Sequence, residues 1–319
     1  MSGYPHTLNL WGVLSQSKRI INAHSRHFLA LSVSFLLPLS FSLIIYPTLQ
    51  TALFHSGSNL FHPHPSHLSF SFFTSTDPLA YTLLAAVLSL LALATISYST
   101  FHGFYGRPVK LVSSMKSVLY SFLPLVATLI VSRVIYALIV LLFGLLAVIV
   151  VQGVQFLGFE VGYDSNYLLG LGVFVGVVVV LVVMWLHVNW SLAYVIVVVE
   201  SKWGYEALQR SAYLVKGMRW VALSVLLFFG VLIGLLVGGC SSFLVSVGAA
   251  SGGWTSFGVI LQMVLLMLQN IAASVVLYMY CKALHGELAL DIAEEFAREY
   301  VYLPFDNEKV PHVVCVVQS

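Results

Sequence analysis

The chain alternates long apolar runs with short segments that hold almost all of its charged residues. Hydrophobic residues make up 60% of the sequence and charged residues only 8%, whereas a soluble domain has about 25% charged residues. Six runs fall within or exceed the range of about 17–25 residues that a helix needs to cross a bilayer. They lie at about 28–46, 79–97, 118–151, 168–199, 221–237 and 257–280. The sequence therefore predicts an all-α integral membrane protein with six transmembrane helices.

The distribution of lysine and arginine predicts how these spans are oriented. The N-terminal segment carries three such residues, the loop after the second span three, the loop after the fourth span four and the C-terminal segment three. The other three loops carry none, and only Arg133 lies inside an apolar run. Because lysine and arginine concentrate on the cytoplasmic side, both termini are predicted to be cytoplasmic. The membrane itself, endomembrane or plasma membrane, is left open.

Three parts follow from this arrangement. They are an N-terminal interfacial segment at 1–27, a six-span membrane domain at 28–283 and a cytoplasmic tail at 284–319. Amphipathic interfacial helices are predicted before spans 1, 3 and 5. The third run is too long for one crossing, so a bend near Pro124 is expected to separate an interfacial helix at 109–123 from the span. Pro38 is expected to kink the first span, and the long fourth span must tilt, kink or protrude.

The most polar segment between two spans reads ESKWGYEALQRSAYLVKGMRW, from Glu200 to Trp220. Its apolar residues recur at helical spacing, Glu206 and Arg210 stand at i, i+4 spacing, and Gly217 suits a helix end. This pattern predicts a basic amphipathic helix on the membrane surface. Four of its residues are candidates for contact with lipid head groups, although the same charges could serve topology alone. They are Lys202, Arg210, Lys216 and Arg219.

The same segment carries a spaced motif, E-x-x-x-G-x-x-A-L-x-R-S-x-x-L-V-K-G. It is formed by Glu200, Gly204, Ala207, Leu208, Arg210, Ser211, Leu214, Val215, Lys216 and Gly217. With LLPLSF at 36–41, WSLAYVIVVVE at 190–200 and YMYCKALHGE at 278–287, it resembles an uncharacterised family of plant multi-pass membrane proteins over most of the chain. It is more remotely similar to the membrane domain of bacterial glycerophosphoryl diester phosphodiesterases. That resemblance implies no catalytic activity, because the bacterial domain is not the catalytic part.

A possible internal repeat pairs FLALSV at 28–33 with WVALSV at 220–225. It would consist of three copies of an interfacial helix followed by a transmembrane hairpin. The other interpretation is the ordinary alternation of basic loops and spans in any multi-pass protein.

Polar residues within the spans form the main candidate site. Counted along ideal helices from the predicted cytoplasmic ends, several of them fall near the middle of the bilayer. This candidate polar layer consists of Arg133, His187, Asn189, Gln269 and Asn270. Ionisable residues at that depth mark ion or substrate paths, whereas hydrogen bonding between helices and an arginine that reaches the interface are structural alternatives.

Other patterns favour structure over chemistry. The first loop holds His55, His62, His64 and His67, which resemble metal ligands but stand in a segment rich in serine and proline. Glycines at 230, 234 and 238, with 172 and 176 on the fourth span, predict close helix packing within the bundle, with a dimer face as the alternative. The three cysteines have no metal-binding or disulfide spacing.

The functional expectation is a non-enzymatic membrane protein without cofactors. It would organise or associate with membrane lipids or partner proteins, and self-association through small-residue faces is included. The alternative is a transporter or channel that uses the polar layer. The formal net charge of +2 gives no reason to expect nucleic acid as a partner.

Overall fold

The computed structural model describes residues 9–44, 78–106, 111–156, 166–247, 253–290 and 292–293. These residues form helices and connecting turns, and no strand occurs among them. The helices are α1 (Leu10–Ala23), α2 (Ser25–Ile44), α3 (Pro78–Phe104), α4 (Leu111–Phe156), α5 (Asn166–Asn189), α6 (Ala193–Glu200), α7 (Tyr205–Leu214), α8 (Arg219–Val247) and α9 (Gly253–Leu284). The predicted all-α architecture is confirmed for this part of the chain.

Six helical segments in the described residues are long and apolar enough to cross a membrane, as predicted. They are Ser25–Ile44, Tyr81–Phe104, Tyr120–Val154, Leu169–Glu200, Arg219–Gly239 and Phe257–Leu284. The first contains a π-helical turn, Ser32–Leu36, which ends two residues before Pro38. Since a proline nitrogen cannot donate a hydrogen bond, a local irregularity in the preceding turn is the expected response.

The third span differs from the prediction. The helix α4 continues through Pro124 for 46 residues, so the expected interfacial helix at 109–123 and the span form one element. At 1.5 Å per residue it is about 69 Å long. Thr128 donates a hydrogen bond to the carbonyl of Pro124 at 2.8 Å, and the same hydroxyl accepts one from the Gly204 N–H at 2.8 Å. The turn of α4 that contains Pro124 is therefore linked by a hydrogen bond to the segment before α7.

The fourth span is broken, which resolves its excess length. α5 alone has 24 residues and measures about 36 Å, already enough to cross the hydrocarbon core. A turn at 190–192 follows, and α6 continues as a separate helix. The Ser211 hydroxyl fills the break, because it donates to the Asn189 carbonyl at 2.7 Å and accepts from the Leu192 N–H at 3.2 Å.

The most deeply buried part of the core surrounds α6. Its sequence AYVIVVVE is apolar on all sides, a pattern typical of a helix enclosed by others. Leu192, Ala193 and Ile196 are fully buried, and α6 contacts α3, α4, α7 and α9. We call this end of the bundle the α7 end. Here α3, α5 and α9 finish, and α4 and α8 begin.

The segment expected to form one surface helix is shorter and more enclosed than predicted. α7 covers only Tyr205–Leu214. Gly204 (φ 63°) directly precedes it and Gly217 (φ 96°) lies in the turn that follows it, and both have backbone conformations that favour glycine. A side chain at Gly217 would also meet Leu284 at 3.0 Å. Six of the predicted apolar positions are buried, namely Ala207, Leu208, Ser211, Leu214, Val215 and Met218. Trp203 is the exception, being 62% exposed.

The expected glycine packing is not found within the described bundle. A Cβ atom added at Gly172, Gly176, Gly230, Gly234 or Gly238 would meet no described atom within 4 Å. Among the described residues, these glycines therefore bring no helices of the bundle into close contact, and the alternative of a dimer face stays a prediction. At Gly230 the open space belongs to a cavity between helices.

Candidate functional site

A cavity of about 400 Å³ lies between the spans near the α7 end. It is lined by side chains from α3, α4, α5, α6, α7, α8 and α9. This volume lies within the range of small-molecule binding sites. Of the five residues of the candidate polar layer, the structure brings Arg133, His187 and Asn270 to this cavity. Asn189 and Gln269 do not line it.

One edge of the cavity is polar and cationic. The Tyr136 hydroxyl and His187 Nδ1 are 3.4 Å apart, and the Tyr136 ring lies against Trp190 with 5.3 Å between centroids. Arg133 stands one helical turn before Tyr136, on the same face of α4. Both Arg133 and His187 are exposed. The cavity is therefore open at the edge that these two side chains form.

Contacts around this edge show where it lies along the long axis of the bundle. The Arg219 guanidinium lies over the Trp185 ring at 5.9 Å, so α5 near His187 is level with the start of α8. The sulfur of Met218, just before α8, is 3.8 Å from that of Cys281. Asn270 is eleven residues before Cys281, about 16 Å further along α9. The cavity thus reaches from the α7 end towards the middle of the bundle.

Several other polar groups near the cavity are hydroxyls. The Ser132 hydroxyl donates to the Leu129 carbonyl at 2.8 Å and lies 3.3 Å from that of Tyr194. The Ser97 hydroxyl is fully buried, lines the cavity and has no hydrogen-bond partner among the described residues. Ser274 donates to the Asn270 carbonyl at 2.9 Å. The sequence interpretation missed these residues, although polar side chains inside apolar runs were a usable signal.

Asn189 has a structural role. Its side-chain amide donates to the Trp185 carbonyl of its own helix at 2.9 Å, while its backbone carbonyl accepts the Ser211 bond at the helix break. Its side-chain oxygen has no partner among the described residues and is buried. The residue thus ends α5 beside the cavity without lining it.

A second polar cluster closes the α7 end. Arg210 Nε donates to Glu200 at 3.1 Å, and Nη1 donates to Glu287 at 3.1 Å. Arg210 also forms an ion pair with Glu287 through Nη2. The Tyr278 hydroxyl donates to Glu200 at 2.9 Å. We call these four residues the carboxylate clamp, since they join α6, α7, α9 and the segment after α9.

The predicted pairing of Glu206 with Arg210 is wrong, because Arg210 pairs with Glu200 and Glu287 in the clamp. Glu206 pairs with Lys202 at 3.3 Å instead. Glu200 is the last residue of α6, where its charge opposes the helix dipole, so Arg210 and Tyr278 offset an unfavourable position. Hydrogen bonds to Glu287 and Glu200 raise the pKa of Arg210, against partial burial. Hydrogen bonds from Arg210 lower the pKa of Glu287.

The four candidate head-group residues therefore have different surroundings. Arg210 is held by two carboxylates, and its side chain is 21% exposed. Lys216 lies over the Tyr213 ring at 6.0 Å, and both Lys216 and Arg219 are exposed. Lys202 is half-buried.

Several sequence predictions fall on residues that are not described. The histidines at 55, 62, 64 and 67 lie in this group, and so does most of the tail. Within the described ranges, no cluster of three or more metal-ligating side chains occurs.

Comparison with known proteins gives one family and no individual relatives. No curated protein matches the chain. No solved structure matches it either. A family model described as a domain of unknown function, DUF8558, matches residues 6–306, so the chain belongs to this family.

Proposed function

We propose that the protein is a non-enzymatic, multi-pass membrane protein that binds a membrane lipid in the cavity between its spans. The observation that supports this is the composition of the cavity. Arg133 and His187 form one edge, while much of the remaining wall is apolar and includes Val225, Phe229 and Ile233. Ligand sites that are mostly apolar with a few placed polar groups suit amphipathic molecules. A membrane supplies such molecules directly to an opening between helices.

The proposed orientation places the α7 end in the cytoplasm. Lys216 and Arg219 are exposed at this end, and cationic residues beside a span favour the cytoplasmic side and anionic head groups. The N-terminal helix α1 also exposes Lys18 and Arg19 while it buries Val13 and Leu14. This amphipathic pattern supports a location at the membrane surface.

The proposed orientation can be tested with glycosylation tags. One tag would be placed in the 47–77 loop and another at the C-terminus. Glycosylation of the loop tag alone is expected, and glycosylation of the C-terminal tag would contradict the orientation.

The wider family relationships stay predictions. Membership of DUF8558, a domain of unknown function, is consistent with the predicted uncharacterised membrane protein family. The resemblance to plant proteins and to the bacterial membrane domain comes from the sequence motif alone, and partner proteins are proposed on the same basis.

The proposed lipid site can be tested by filling the cavity. Gly230 lines the cavity, and an added Cβ there would meet no described atom within 4 Å. Leucine at this position would occupy the ligand space without an immediate clash. Purified wild-type and Gly230→Leu proteins are placed in nanodiscs, and the lipid that stays bound to each is measured by native mass spectrometry. We expect Gly230→Leu to lose most of the lipid that the wild type retains.

Gly234 provides a matched control one turn further along α8. An added Cβ there would also meet no described atom within 4 Å, and the residue does not line the cavity. Gly234→Leu is expected to retain lipid as wild type does. Equal retention in Gly230→Leu and wild type would contradict the proposed site.

Transport is the second candidate function, because ionisable side chains line a cavity within the membrane-spanning region. The six spans contain no aspartate or glutamate apart from Glu200 at the end of the fourth, so coupling to cations through buried carboxylates lacks its usual groups. A cysteine at Asn270 separates the two functions. Protection from a membrane-impermeant thiol reagent on both sides supports lipid binding, and labelling supports an aqueous path.

A further inference from the structure

We propose that the cavity recognises an anionic phospholipid, with its phosphate bound by Arg133 and His187 and an acyl chain lying along α8. This inference rests on the proposed lipid site and names the chemical class of its ligand.

Arg133 is the first reason to expect an anion. It makes no ion pair or hydrogen bond with any residue in the described part of the chain. The sequence contains no aspartate or glutamate from 78 to 159 or from 166 to 199, so the helices around it offer no carboxylate. A guanidinium without a counter-charge is costly in a membrane environment. An anionic ligand would supply that charge.

The groups beside Arg133 match a phosphate. A guanidinium presents N–H donors in a planar fork that fits two phosphate oxygens. When the Tyr136 hydroxyl donates to His187 Nδ1 across the 3.4 Å between them, the imidazole carries its proton on Nε2 and can donate there as well. Trp190 also lines the cavity, and its indole N–H is a donor with no acceptor capacity. Donors therefore outnumber acceptors at this edge.

The apolar wall distinguishes a lipid from a soluble phosphate. Ala222, Leu226, Phe229 and Ile233 line the cavity along α8. From Ala222 to Ile233 this wall extends about 16 Å at 1.5 Å per residue. Gly230, one turn before Ile233, adds no side chain to this wall, and an added Cβ there would meet no described atom within 4 Å. A soluble anion would leave this surface unused, whereas an acyl chain would cover it.

The size of the cavity limits how much of the lipid enters. About 400 Å³ is near the lower end of the range for small-molecule sites. It accommodates a phosphate and part of one chain, and the rest of the molecule stays in the bilayer through the open edge at Arg133 and His187. The ligand is therefore a bilayer lipid held at its head group, with no need for full extraction.

The experiment measures lipid selectivity in nanodiscs that contain equal amounts of phosphatidylglycerol and phosphatidylcholine. Retained lipid is quantified by native mass spectrometry for wild type, Arg133→Gln and His187→Gln. Wild type is expected to retain phosphatidylglycerol preferentially. Loss of a charge-assisted contact corresponds to roughly tenfold to hundredfold weaker binding, so Arg133→Gln should lose the preference and His187→Gln should reduce it. Lys116→Gln removes one exposed positive charge of α4 that does not line the cavity, and it should retain the preference.

The outcomes separate this inference from the proposed function. If wild type and Gly230→Leu retain lipid equally, the lipid site itself fails. If Gly230→Leu loses lipid but Arg133→Gln keeps the anionic preference, only phosphate recognition by Arg133 is overturned. Gel filtration and thermal unfolding establish that each variant is folded. If Arg133→Gln is not folded, the test rests on His187→Gln. A preference for phosphatidylglycerol that is unchanged in His187→Gln then overturns the inference.

A competition arm distinguishes the two sources of phosphate. Wild-type protein is incubated with glycerol 3-phosphate, the soluble equivalent of the head group. If the lipid is the ligand, millimolar glycerol 3-phosphate leaves the retained phosphatidylglycerol unchanged. Displacement of the lipid at such concentrations would identify a soluble organophosphate as the ligand instead.

Discussion

Apolar helices contribute to both ends of the bundle, but the two ends are packed very differently. At the α7 end, Leu192, Ile196 and Leu214 are fully buried. We call the opposite parts of α4 and α5, residues 141–156 and 169–181, the α4–α5 arm. In the most apolar 18-residue stretch of the third span, and in that of the fourth, no residue is buried. In the corresponding stretch of the sixth span, half of the residues are buried.

The comparison teaches that apolar composition does not specify packing in a membrane protein. Leu142 in the α4–α5 arm is 64% exposed and equally suits contact with lipid chains or another protein. At the α7 end, polar side chains fix the arrangement. Ser211 fills the break between α5 and α6, and Arg210 connects α7 to Glu200 and Glu287. Since lipid is as apolar as leucine, such polar contacts and close packing decide which helices associate.

The largest expected effect is a cavity at the α7 end. Ile196 is fully buried in α6, so Ile196→Ala removes packed atoms with little room for the surroundings to collapse. We expect a loss of about 2–5 kcal/mol in the free energy of unfolding. Denaturant unfolding in detergent micelles, followed by tryptophan fluorescence, measures it. A loss below about 1 kcal/mol would show that the two ends are packed alike.

The carboxylate clamp gives the next effect. Arg210→Gln leaves Glu200 and Glu287 without their shared cation, and we expect a loss of about 1.5–3 kcal/mol, the range for hydrogen bonds to charged groups. Lys202→Gln is the control, because its pair with Glu206 is exposed and contributes about 0.5 kcal/mol or less. Equal losses in the two variants would contradict a structural role for the clamp.

The helix break is tested by Ser211→Ala. This substitution leaves the Asn189 carbonyl and the Leu192 N–H without their partner. Each unsatisfied buried group is costly, and we expect a total loss of about 1–3 kcal/mol. In Ser224→Ala, the lost hydroxyl bonds only to the Val221 carbonyl of its own helix, so a change within about 0.5 kcal/mol is expected. The same unfolding assay compares the two variants.

The clamp also predicts a pH dependence. The pKa of Glu287 is lowered in the folded protein by hydrogen bonds from Arg210, so its contribution to stability is fully present above the unfolded value of about 4.3. It is lost as the pH falls through the lowered folded value. The unfolding free energy of wild type should therefore fall below about pH 4.3 more steeply than that of Glu287→Gln. Parallel profiles would exclude Glu287 as a contributor.

The smallest effect is expected in the α4–α5 arm. Leu142→Ala removes an exposed side chain, and in micelles the unfolding free energy should change by no more than about 0.5 kcal/mol. A loss as large as that of Ile196→Ala would show that this arm packs against a second chain under the conditions used. Size-exclusion chromatography with light scattering would then identify the oligomer.

Much of the fold was predictable from local patterns. Long apolar runs require helices in a membrane, because every backbone polar group there must be bonded within its own segment. The six candidate spans follow from this rule. Gly217 lies in the turn after α7 with a positive φ, three residues beyond the helix end. The helical spacing in Glu200–Trp220 identified the buried face of α7 as well, with Trp203 as its exception.

The failures came from contacts between segments that are distant in sequence. Arg210 was expected to pair with Glu206 four residues away, but Glu287, seventy-seven residues later, lies within reach. The continuity of α4 through Pro124 accompanies a Thr128 hydroxyl that also bonds the segment before α7. The glycine spacing indicated close packing that the described bundle does not contain.

The sequence by itself determined the number and apolar character of the candidate spans, because both depend on the local requirement to satisfy the backbone in a bilayer. It also singled out Arg133, His187 and Asn270 as unusual residues for such an environment. Only the tertiary structure decided that these three share one cavity while Asn189 and Gln269 do not. That outcome depends on the rotation and level of each helix, which are set by contacts such as those of Ser211 and Arg210 with other segments.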